Sequence, residues 1–401
     1  MCRLCYFLSV LVIISCSPIR EERHSFRITE ESGVVIAENR GGPKYSDPIF
    51  SIEEVVRIRE EESEEGSLLI RPQWMGLDED EMIYVFDGFS AFNETRLVVY
   101  NQNGSYSHVI GRKGRGPGEY LDPQLISINK GTVTLFERSL RRISRFSRDG
   151  SFIRLFTCAP SEAPPDKVYL DSDENRVIIY ATRTGNWNSQ KAVVYSPEGK
   201  LLGTVETPRV RRYDGMETSR AKVQTPPHFN GQALINYSTI HGILTTDGNE
   251  AVVNWYDFSG ELVKVYDLGL KSGPVTEEDR ALADSYFRNL WLDGGPVGEE
   301  LYRSWVKEDK FPQSRAFWNG ATIDKFGYLW LDDPSSHFHA TERHYRVVNP
   351  DGEYLGDCYL PQGNVRITRG HYLLINENIR TGERNLIVYR IIPTVNGLEY
   401  P

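Results

Sequence analysis

The 401-residue sequence has few cysteines and no recognisable catalytic motif. Three of its five cysteines, Cys2, Cys5 and Cys16, lie close to the N terminus. The other two, Cys158 and Cys358, form no CxxC pair, so neither a disulfide framework nor a cysteine-rich metal site is indicated. HExxH, Walker and nucleophile-elbow motifs are also absent, so no linear motif assigns a catalytic class.

A basic surface is missing as well. The chain carries 46 Lys and Arg against 56 Asp and Glu, which gives a net charge of −10. Nucleic-acid binding normally requires a positively charged face, so we expect no nucleic-acid partner.

Long apolar runs are absent except near the N terminus, where residues 4–14 are almost entirely apolar. This run is shorter than the roughly 20 residues of a membrane-spanning helix. Arg3 precedes it and Ser15 directly precedes Cys16, an order typical of an export signal. Residues 13–16 resemble a bacterial lipobox. We therefore predict a signal peptide over residues 1–15 and lipidation of Cys16; the alternative is an ordinary signal peptide with a coincidental cysteine.

What the sequence does contain is a recurring turn. A polar pair followed by glycine separates two β-rich segments five times, at Gly104, Gly150, Gly199, Gly260 and Gly352. Such dipeptides mark tight hairpins, because glycine accepts a positive φ angle. The glycines are 46, 49, 61 and 92 residues apart. A period in the forties with four short strands per unit is typical of propeller blades.

The ends of the chain complete this repeat. Residues 365–392 supply three strands of a last blade, and residues 49–58 supply its fourth and outermost strand. Joining both ends in one blade closes the ring and removes exposed strand edges. We therefore predict an all-β, six-bladed β-propeller over residues 45–401, preceded by the signal peptide and by a lipid-anchored tether over residues 16–44.

The longest interval between hairpins predicts a small helical insertion at about residues 273–311. It opens with the capping pattern Thr276-x-x-Asp279, followed by apolar residues at helical spacing. One interpretation is a helical decoration on one end of the ring. The other is a lid over a central pocket, with Trp291 and Trp305 facing that pocket.

The glycine-rich stretch GRKGRGPGEY, residues 111–120, falls between the first two blades. A strand-like segment follows it, whereas phosphate-binding loops lead into a helix. The stretch therefore indicates a structural corner; the alternative is an anion-binding nest of backbone N–H groups beside Arg112, Lys113 and Arg115.

This corner resembles the G-x-x-G-x-G-P-G-E-[FY] corner of six-bladed β-propeller lipoproteins of Bacteroidota, relatives of the NHL and TolB-like propellers. The resemblance covers most of the mature chain and departs at the helical insertion and the fourth blade. It implies a propeller fold and a cell-envelope location as an outer-membrane lipoprotein, either periplasmic or surface-exposed, and assigns no activity.

Candidate site residues lie where second strands end and where fourth strands lead into the next blade, because these loops emerge on one face of a propeller. The candidate ligand-binding residues are Arg115, Glu119, Trp318 and Asn319, and the candidate metal ligands are Asp87, Glu137 and Asp332. The alternative is that these side chains brace turns. A two-histidine metal site at His337 and His339 is a weaker hypothesis than a solvated loop there.

Two functions follow as hypotheses. The first is a binding module for a glycan, a peptide or a partner protein of the envelope, attached to the membrane only through its lipid anchor and needing no cofactor. The second is a metal-dependent, lactonase-like or lyase-like hydrolytic enzyme that holds a divalent cation at the channel mouth. No catalytic residue is assigned for either.

Overall fold

The computed structural model describes residues 23–401 except residues 60–68, 70, 89–94, 122, 130, 158–164, 185–186, 212–213, 218–221, 226–228, 293–294, 308–310, 340 and 378–383. The predicted signal peptide, Cys16 and Cys158 therefore lie outside the described residues. Within the described part of the chain, no helix combines the length and apolar character needed to cross a membrane.

The chain begins with three strands that join blades formed later in the sequence. These are β1 (Ser25–Glu31), β2 (Val34–Arg40) and β3 (Phe50–Arg59).

Blades one to three then follow in chain order, each a four-stranded antiparallel sheet. Blade one contains β4 (Pro72–Leu77), β5 (Ile83–Asp87), β6 (Arg96–Tyr100) and β7 (Tyr106–Ile110). A corner of two short strands follows, β8 (Arg112–Lys113) and β9 (Glu119–Tyr120). Blade two contains β10 (Pro123–Asn129), β11 (Thr132–Glu137), β12 (Arg142–Ser147) and β13 (Phe152–Thr157). Blade three contains β14 (Lys167–Leu170), β15 (Arg176–Thr184), β16 (Trp187–Tyr195) and β17 (Leu201–Glu206), with β18 (Val210–Arg211) paired to β16.

The second half contains the remaining blades and the helices. A separate hairpin precedes blade four, β19 (Asp214–Glu217) with β20 (Lys222–Thr225). Blade four contains β21 (Leu234–Ser238), β22 (Gly242–Thr246), β23 (Val252–Tyr256) and β24 (Leu262–Asp267). The helices are α1 (Glu277–Leu292) and α2 (Gly295–Lys307). Blade five contains β25 (Gly320–Ile323), β26 (Leu329–Asp332), β27 (Glu342–Val348) and β28 (Tyr354–Pro361), with a short 3₁₀ helix (Ser336–Phe338) between β26 and β27. Blade six contains β29 (Asn364–Thr368), β30 (His371–Glu377) and β31 (Arg384–Pro393), completed by β3.

The ring closes as the sequence predicts. Strand β3 pairs antiparallel with β31 and is the outermost strand of blade six. Six clusters of buried apolar side chains lie between successive blades, including one between blades six and one, where Leu373 packs with Met75. The core is therefore distributed around the ring, which leaves its centre available as a channel.

The five predicted hairpin glycines all adopt positive φ angles. Their values lie between +82° and +96° in Gly104, Gly150, Gly199, Gly260 and Gly352. At Gly352 a Cβ atom would also lie only 2.5 Å from the Tyr266 ring, so the turn requires glycine for its space as well as its dihedral angle.

The N-terminal hairpin β1–β2 is a feature that sequence analysis missed. It extends blade four to six strands, because β2 pairs in parallel with β24. Asn39 fixes the contact: its Nδ2 donates to Asp267 O and Gly352 O, both at 2.9 Å, and its Oδ1 accepts from Tyr354 N at 2.8 Å. Much of the segment predicted as a tether, residues 16–44, thus belongs to the folded ring.

The predicted helical insertion is present after β24. Thr276 and Asp279 form a reciprocal cap at the start of α1, in which Asp279 N donates to Thr276 Oγ1 and Thr276 N donates to Asp279 Oδ2. Trp291 and Trp305 pack with Phe287, Phe229 and their aromatic neighbours. No helical residue is among the described residues that line the central channel, which favours a decoration over a lid.

The insertion lies on the face of the ring where second and fourth strands end, because it directly follows the fourth strand of blade four. We call this face the insertion face. Strand β2 runs parallel to β24 and Ser25 pairs with Arg40 at its end, so β1 also begins at the insertion face.

Candidate functional site

The main cavity is the central channel, with a volume of about 480 Å³. The inner strands of blades one, three, four, five and six contribute to its wall. Its polar and aromatic lining residues are Trp74, Phe136, Lys167, Tyr169, Asn236, Thr322, Asn364 and Arg366. Apolar residues such as Met75, Val168 and Ile367 alternate with them, which is the mixed lining typical of small-ligand sites.

The charge of the channel wall is opposite to that of the whole protein. The net charge of the chain is −10, yet the described lining residues include two cations, Lys167 and Arg366, and no carboxylate. Both cations are exposed to the channel, Lys167 on β14 and Arg366 on β29, so they are accessible to a ligand that enters it.

Arg366 lies over the ring of Trp74, with its guanidinium carbon 4.5 Å from the ring centroid. Within the described residues, Arg366 forms no ion pair and donates no hydrogen bond. The Arg366 side chain is exposed to the channel, and desolvation by the surrounding ring lowers its pKa, partly offset by Tyr169. The side chain stays charged at neutral pH, because arginine ordinarily titrates above pH 12.

The position of Trp74 depends on Gly76. A Cβ atom on Gly76 would lie 2.1 Å from the Trp74 ring, so the ring occupies space that any other residue at position 76 would fill. The Trp74 ring also makes an edge contact with Phe86 at 6.1 Å between centroids. The platform beneath Arg366 is therefore held in place by packing.

Hydrogen bonds connect the inner strands of three neighbouring blades. Tyr169 Oη donates to Asn236 Oδ1 at 3.1 Å, and Asn236 Nδ2 donates to Ala321 O at 2.6 Å. Between blades six and one, Asn364 Nδ2 donates to Gln73 O at 3.0 Å. These contacts fix the channel wall, and among the described residues none of them uses the Arg366 guanidinium.

A second cavity of about 440 Å³ lies between the insertion and blade five. The centre of its polar network is Asp333, which is 1% exposed. Arg315 pairs with Asp333 and also with Asp279 of α1 at 3.1 Å, and Arg346 lies 2.9 Å from Asp333. Burial alone would raise the pKa of Asp333, but a hydrogen bond with His344 and the two arginines lower it far below its ordinary value.

His344 completes this network. Its Nδ1 lies 3.6 Å from Asp333 and its Nε2 lies 3.4 Å from Asp357, while its ring stacks on Tyr359 at 4.7 Å. Burial alone would lower the pKa of His344, but the hydrogen bonds with the two aspartates raise it. Arg315 thus joins the insertion to blade five, whereas these contacts of His344 lie within blade five.

The glycine-rich corner binds an anion from its own chain. Glu119 accepts hydrogen bonds from Gly116 N at 2.9 Å and from Arg112 Nε at 2.9 Å, and these contacts lower its pKa. Arg142 donates to Arg115 O at 2.6 Å and to Glu119 O at 2.8 Å. The Glu119 carboxylate occupies the nest of backbone N–H groups. The geometry therefore agrees with a structural corner and not with the anion-binding alternative.

The three candidate metal ligands lie in three different blades and do not converge. Asp87 pairs with Arg96 at 2.9 Å, Glu137 pairs with Arg142, and Asp332 lies 3.6 Å from Arg343. Asp87 Oδ1 and Glu137 Oε1 also accept backbone N–H groups from the segments that enter their blades. These residues do not fit a cation site; they brace the strand ends.

No group of three or more His, Cys, Asp or Glu side chains among the described residues is arranged to hold a metal. His339 lines the second cavity, whereas the side chain of His337 lies outside the described part of the structure.

Trp318 was predicted as a ligand-binding residue, and the structure corrects this prediction. It is 0% exposed and its Nε1 donates to Thr246 Oγ1 at 3.0 Å, so it belongs to the core between blades four and five. Asn319 is half-buried beside it, and its backbone N donates to Asp332 O at 3.0 Å. Neither residue lines the central channel.

The channel residues Arg366 and Trp74 were missed. The available signal was an arginine between Val365 and Ile367 on an innermost strand, where blades otherwise place apolar or small polar side chains. That signal is weak alone, because the partner ring comes from the opposite end of the chain.

Comparisons with known proteins agree on the fold. The family DUF5128, described as 6-bladed beta-propeller, matches residues 77–202. No curated protein matches the chain.

Solved structures with similar folds include two proteins of Bacteroides. A candidate exported protein of Bacteroides fragilis is 12% identical, with a TM-score of 0.49 over 88% of this chain and 98% of that one. A DUF4221 member of Bacteroides vulgatus is 10% identical, with a TM-score of 0.48 over 86% and 99%. The virginiamycin B lyase of Staphylococcus aureus is 9% identical, with a TM-score of 0.38 over 84% and 99%. The closed set of sheets and the family match together establish a six-bladed β-propeller.

Proposed function

We propose that this protein is a binding propeller of the cell envelope that takes its ligand into the central channel. The observation that carries the proposal is the channel itself: about 480 Å³, a rigid wall of polar and apolar side chains, and one guanidinium without a partner among the described residues. Such a cavity suits a small ligand or a short segment of a larger one, such as a glycan or a peptide, better than a whole protein surface.

The second cavity differs from the channel in its charge pairing, and this difference supports the channel as the ligand site. The charged groups at the centre of the second cavity are paired with each other, as Asp333 with Arg315 and Arg346 shows, so this central network is structural. The channel cations Lys167 and Arg366 have no such described partners in the wall. The hydrolytic alternative has less support, because its candidate carboxylates Asp87, Glu137 and Asp332 are divided among three blades and are placed beside arginines.

A channel-filling variant tests the proposal. Thr322→Trp places a large side chain in the channel, and Thr182→Trp makes the same change at an exposed residue of β15. The purified proteins are compared by thermal melting and then screened against panels of neutral oligosaccharides, acidic oligosaccharides and peptides. We expect Thr322→Trp to lose binding at least tenfold while Thr182→Trp binds like the wild type. Unchanged binding in a folded Thr322→Trp variant would place the ligand outside the channel.

A further inference from the structure

We infer that the channel ligand is a carboxylated sugar whose carboxylate binds the guanidinium of Arg366. This inference rests on the proposed function, since it names the class of ligand for the same channel. Four features of the channel support it: the charge of the wall, the N–H groups of Arg366 that lack a described acceptor, the kinds of side chain around Arg366, and the size of the cavity.

The charge of the wall selects an anion. The described lining contains Lys167 and Arg366 and no Asp or Glu, in a chain with ten more acidic than basic residues. Arg366 is exposed to the channel, so a neutral ligand that displaced the channel water would leave its charge without compensation. A bound carboxylate would replace the missing counter-ion, and the attraction between the two groups is stronger in the channel than in open water.

The geometry of Arg366 selects a planar anion. The guanidinium carbon lies over the Trp74 ring, 4.5 Å from the ring centroid, and this contact positions the planar guanidinium group. Its N–H groups remain without acceptors among the described residues. A fork of N–H donors matches the two oxygens of a carboxylate, and such bidentate pairs give both orientation and affinity.

The described channel lining has no carboxylate, and this also indicates which kind of molecule supplies the ligand carboxylate that binds Arg366. An amino acid or a short peptide brings an ammonium group as well, and the described channel lining includes no carboxylate to receive it. A small cavity beside Arg366 does contain the Asp332 carboxylate, but Arg343 lies 3.6 Å from it and compensates its charge. A carboxylated sugar has no cation. Its hydroxyl groups match Thr322 and Asn364, and its apolar C–H faces match Val365 and Ile367.

The size of the cavity limits the ligand to a compact unit. A volume of about 480 Å³ lies in the range of small-ligand pockets. The channel therefore accommodates a short saccharide, or the acidic end of a longer chain that enters from the face of the ring.

Calorimetric titration tests the inference with matched sugars. D-galacturonate and its short oligomers are the probes, galactose and its oligomers are the neutral counterparts, and inorganic phosphate and an acidic peptide are additional arms. We expect the acidic sugars to bind at least tenfold more tightly than the neutral ones, and to weaken as salt is added. Equal affinity for both sugars, no sugar binding at all, or tighter binding of phosphate or the peptide would each overturn the inference.

Substitutions at Arg366 locate the effect. Arg366→Gln should abolish the preference for acidic sugars, whereas Arg366→Lys, which keeps the charge without the fork, should retain part of it. Arg366→Met removes the charge at similar length and replaces the glutamine variant if that variant does not fold. Arg183→Gln is the matched control, because Arg183 is exposed at the end of β15.

The outcomes separate this inference from the proposed function. If neutral saccharides or peptides bind in the channel and Arg366→Gln leaves them unaffected, the carboxylated-sugar inference is wrong and the binding function stands. If binding is insensitive to both Arg366→Gln and Thr322→Trp, the channel is not the site and both fail.

Discussion

Asp87 and Glu137 end the second strands of their blades and lie fully buried against arginines at the start of the third strands. In each pair the acid and the arginine are direct cross-strand neighbours, Asp87 with Arg96 and Glu137 with Arg142. A buried charge without its partner is strongly destabilising. An acid at the end of a second strand therefore indicates bracing at least as readily as catalysis in this fold.

Trp318 gives a sharp test at the residue scale. Trp318→Ala removes a fully buried ring and its hydrogen bond to Thr246, so we expect the free energy of unfolding to fall by about 3–5 kcal/mol. Trp187→Ala, at a tryptophan that is 51% exposed, should change it by less than about 0.5 kcal/mol. Urea unfolding of both variants is the measurement. A stable Trp318→Ala protein with selectively impaired ligand binding would restore Trp318 to the binding site.

At the scale of elements, two N-terminal segments have different tasks. Strand β3 completes blade six and closes the ring through its pairing with β31. The hairpin β1–β2 is added to the edge of a blade that already has four strands, and it is fixed by the pairing of β2 with β24, by the buried Ala37 and by Asn39. Closure is needed to bury strand edges, whereas an added hairpin only extends a sheet.

Truncations separate these tasks. A chain that begins at residue 44 lacks the hairpin, and we expect it to remain monomeric with a lower melting temperature. A chain that begins at residue 60 also lacks β3, which exposes the edge of β31, and we expect it to aggregate. Size-exclusion chromatography and thermal melting measure both. A monomeric second truncation with the melting temperature of the first would show that β3 is not needed for closure.

Elements specified by local sequence were predictable, and those specified by distant contacts were not. The five hairpins follow from a glycine that must adopt a positive φ angle, and α1 follows from its cap at Thr276 and its apolar spacing. The sequence predicts a tether where the structure has the hairpin β1–β2, because the partner strand β24 lies far along the chain. Asn39 and Asp267, which are in contact, are 228 positions apart. The pair of Arg366 and Trp74 was missed for the same reason, since only the closed ring brings the last blade beside the first.

At the scale of the whole molecule, the position of the N terminus relates the ring to the membrane. Strand β1 begins at the insertion face, so the preceding chain leaves the ring there. We propose that Cys16 carries a lipid anchor. The nine residues from Cys16 to Ser25 reach at most roughly 30 Å, so the anchor would hold the ring close to the bilayer with this face nearest to the N-terminal segment.

Replacing Cys16 tests the anchor. The wild-type protein should be cleaved before Cys16, gain the mass of a diacylglycerol and partition into the detergent phase. Cys16→Ala should lose this mass and either remain unprocessed or become soluble, because two acyl signals are what make membrane attachment stable. Cys5→Ala is the matched control, since it changes a cysteine within the predicted signal peptide and should leave lipidation intact. Mass spectrometry and detergent partitioning measure both variants. A Cys16→Ala protein that is correctly cleaved and still membrane-bound would rule out attachment through Cys16 and, with it, the tethered orientation of the ring.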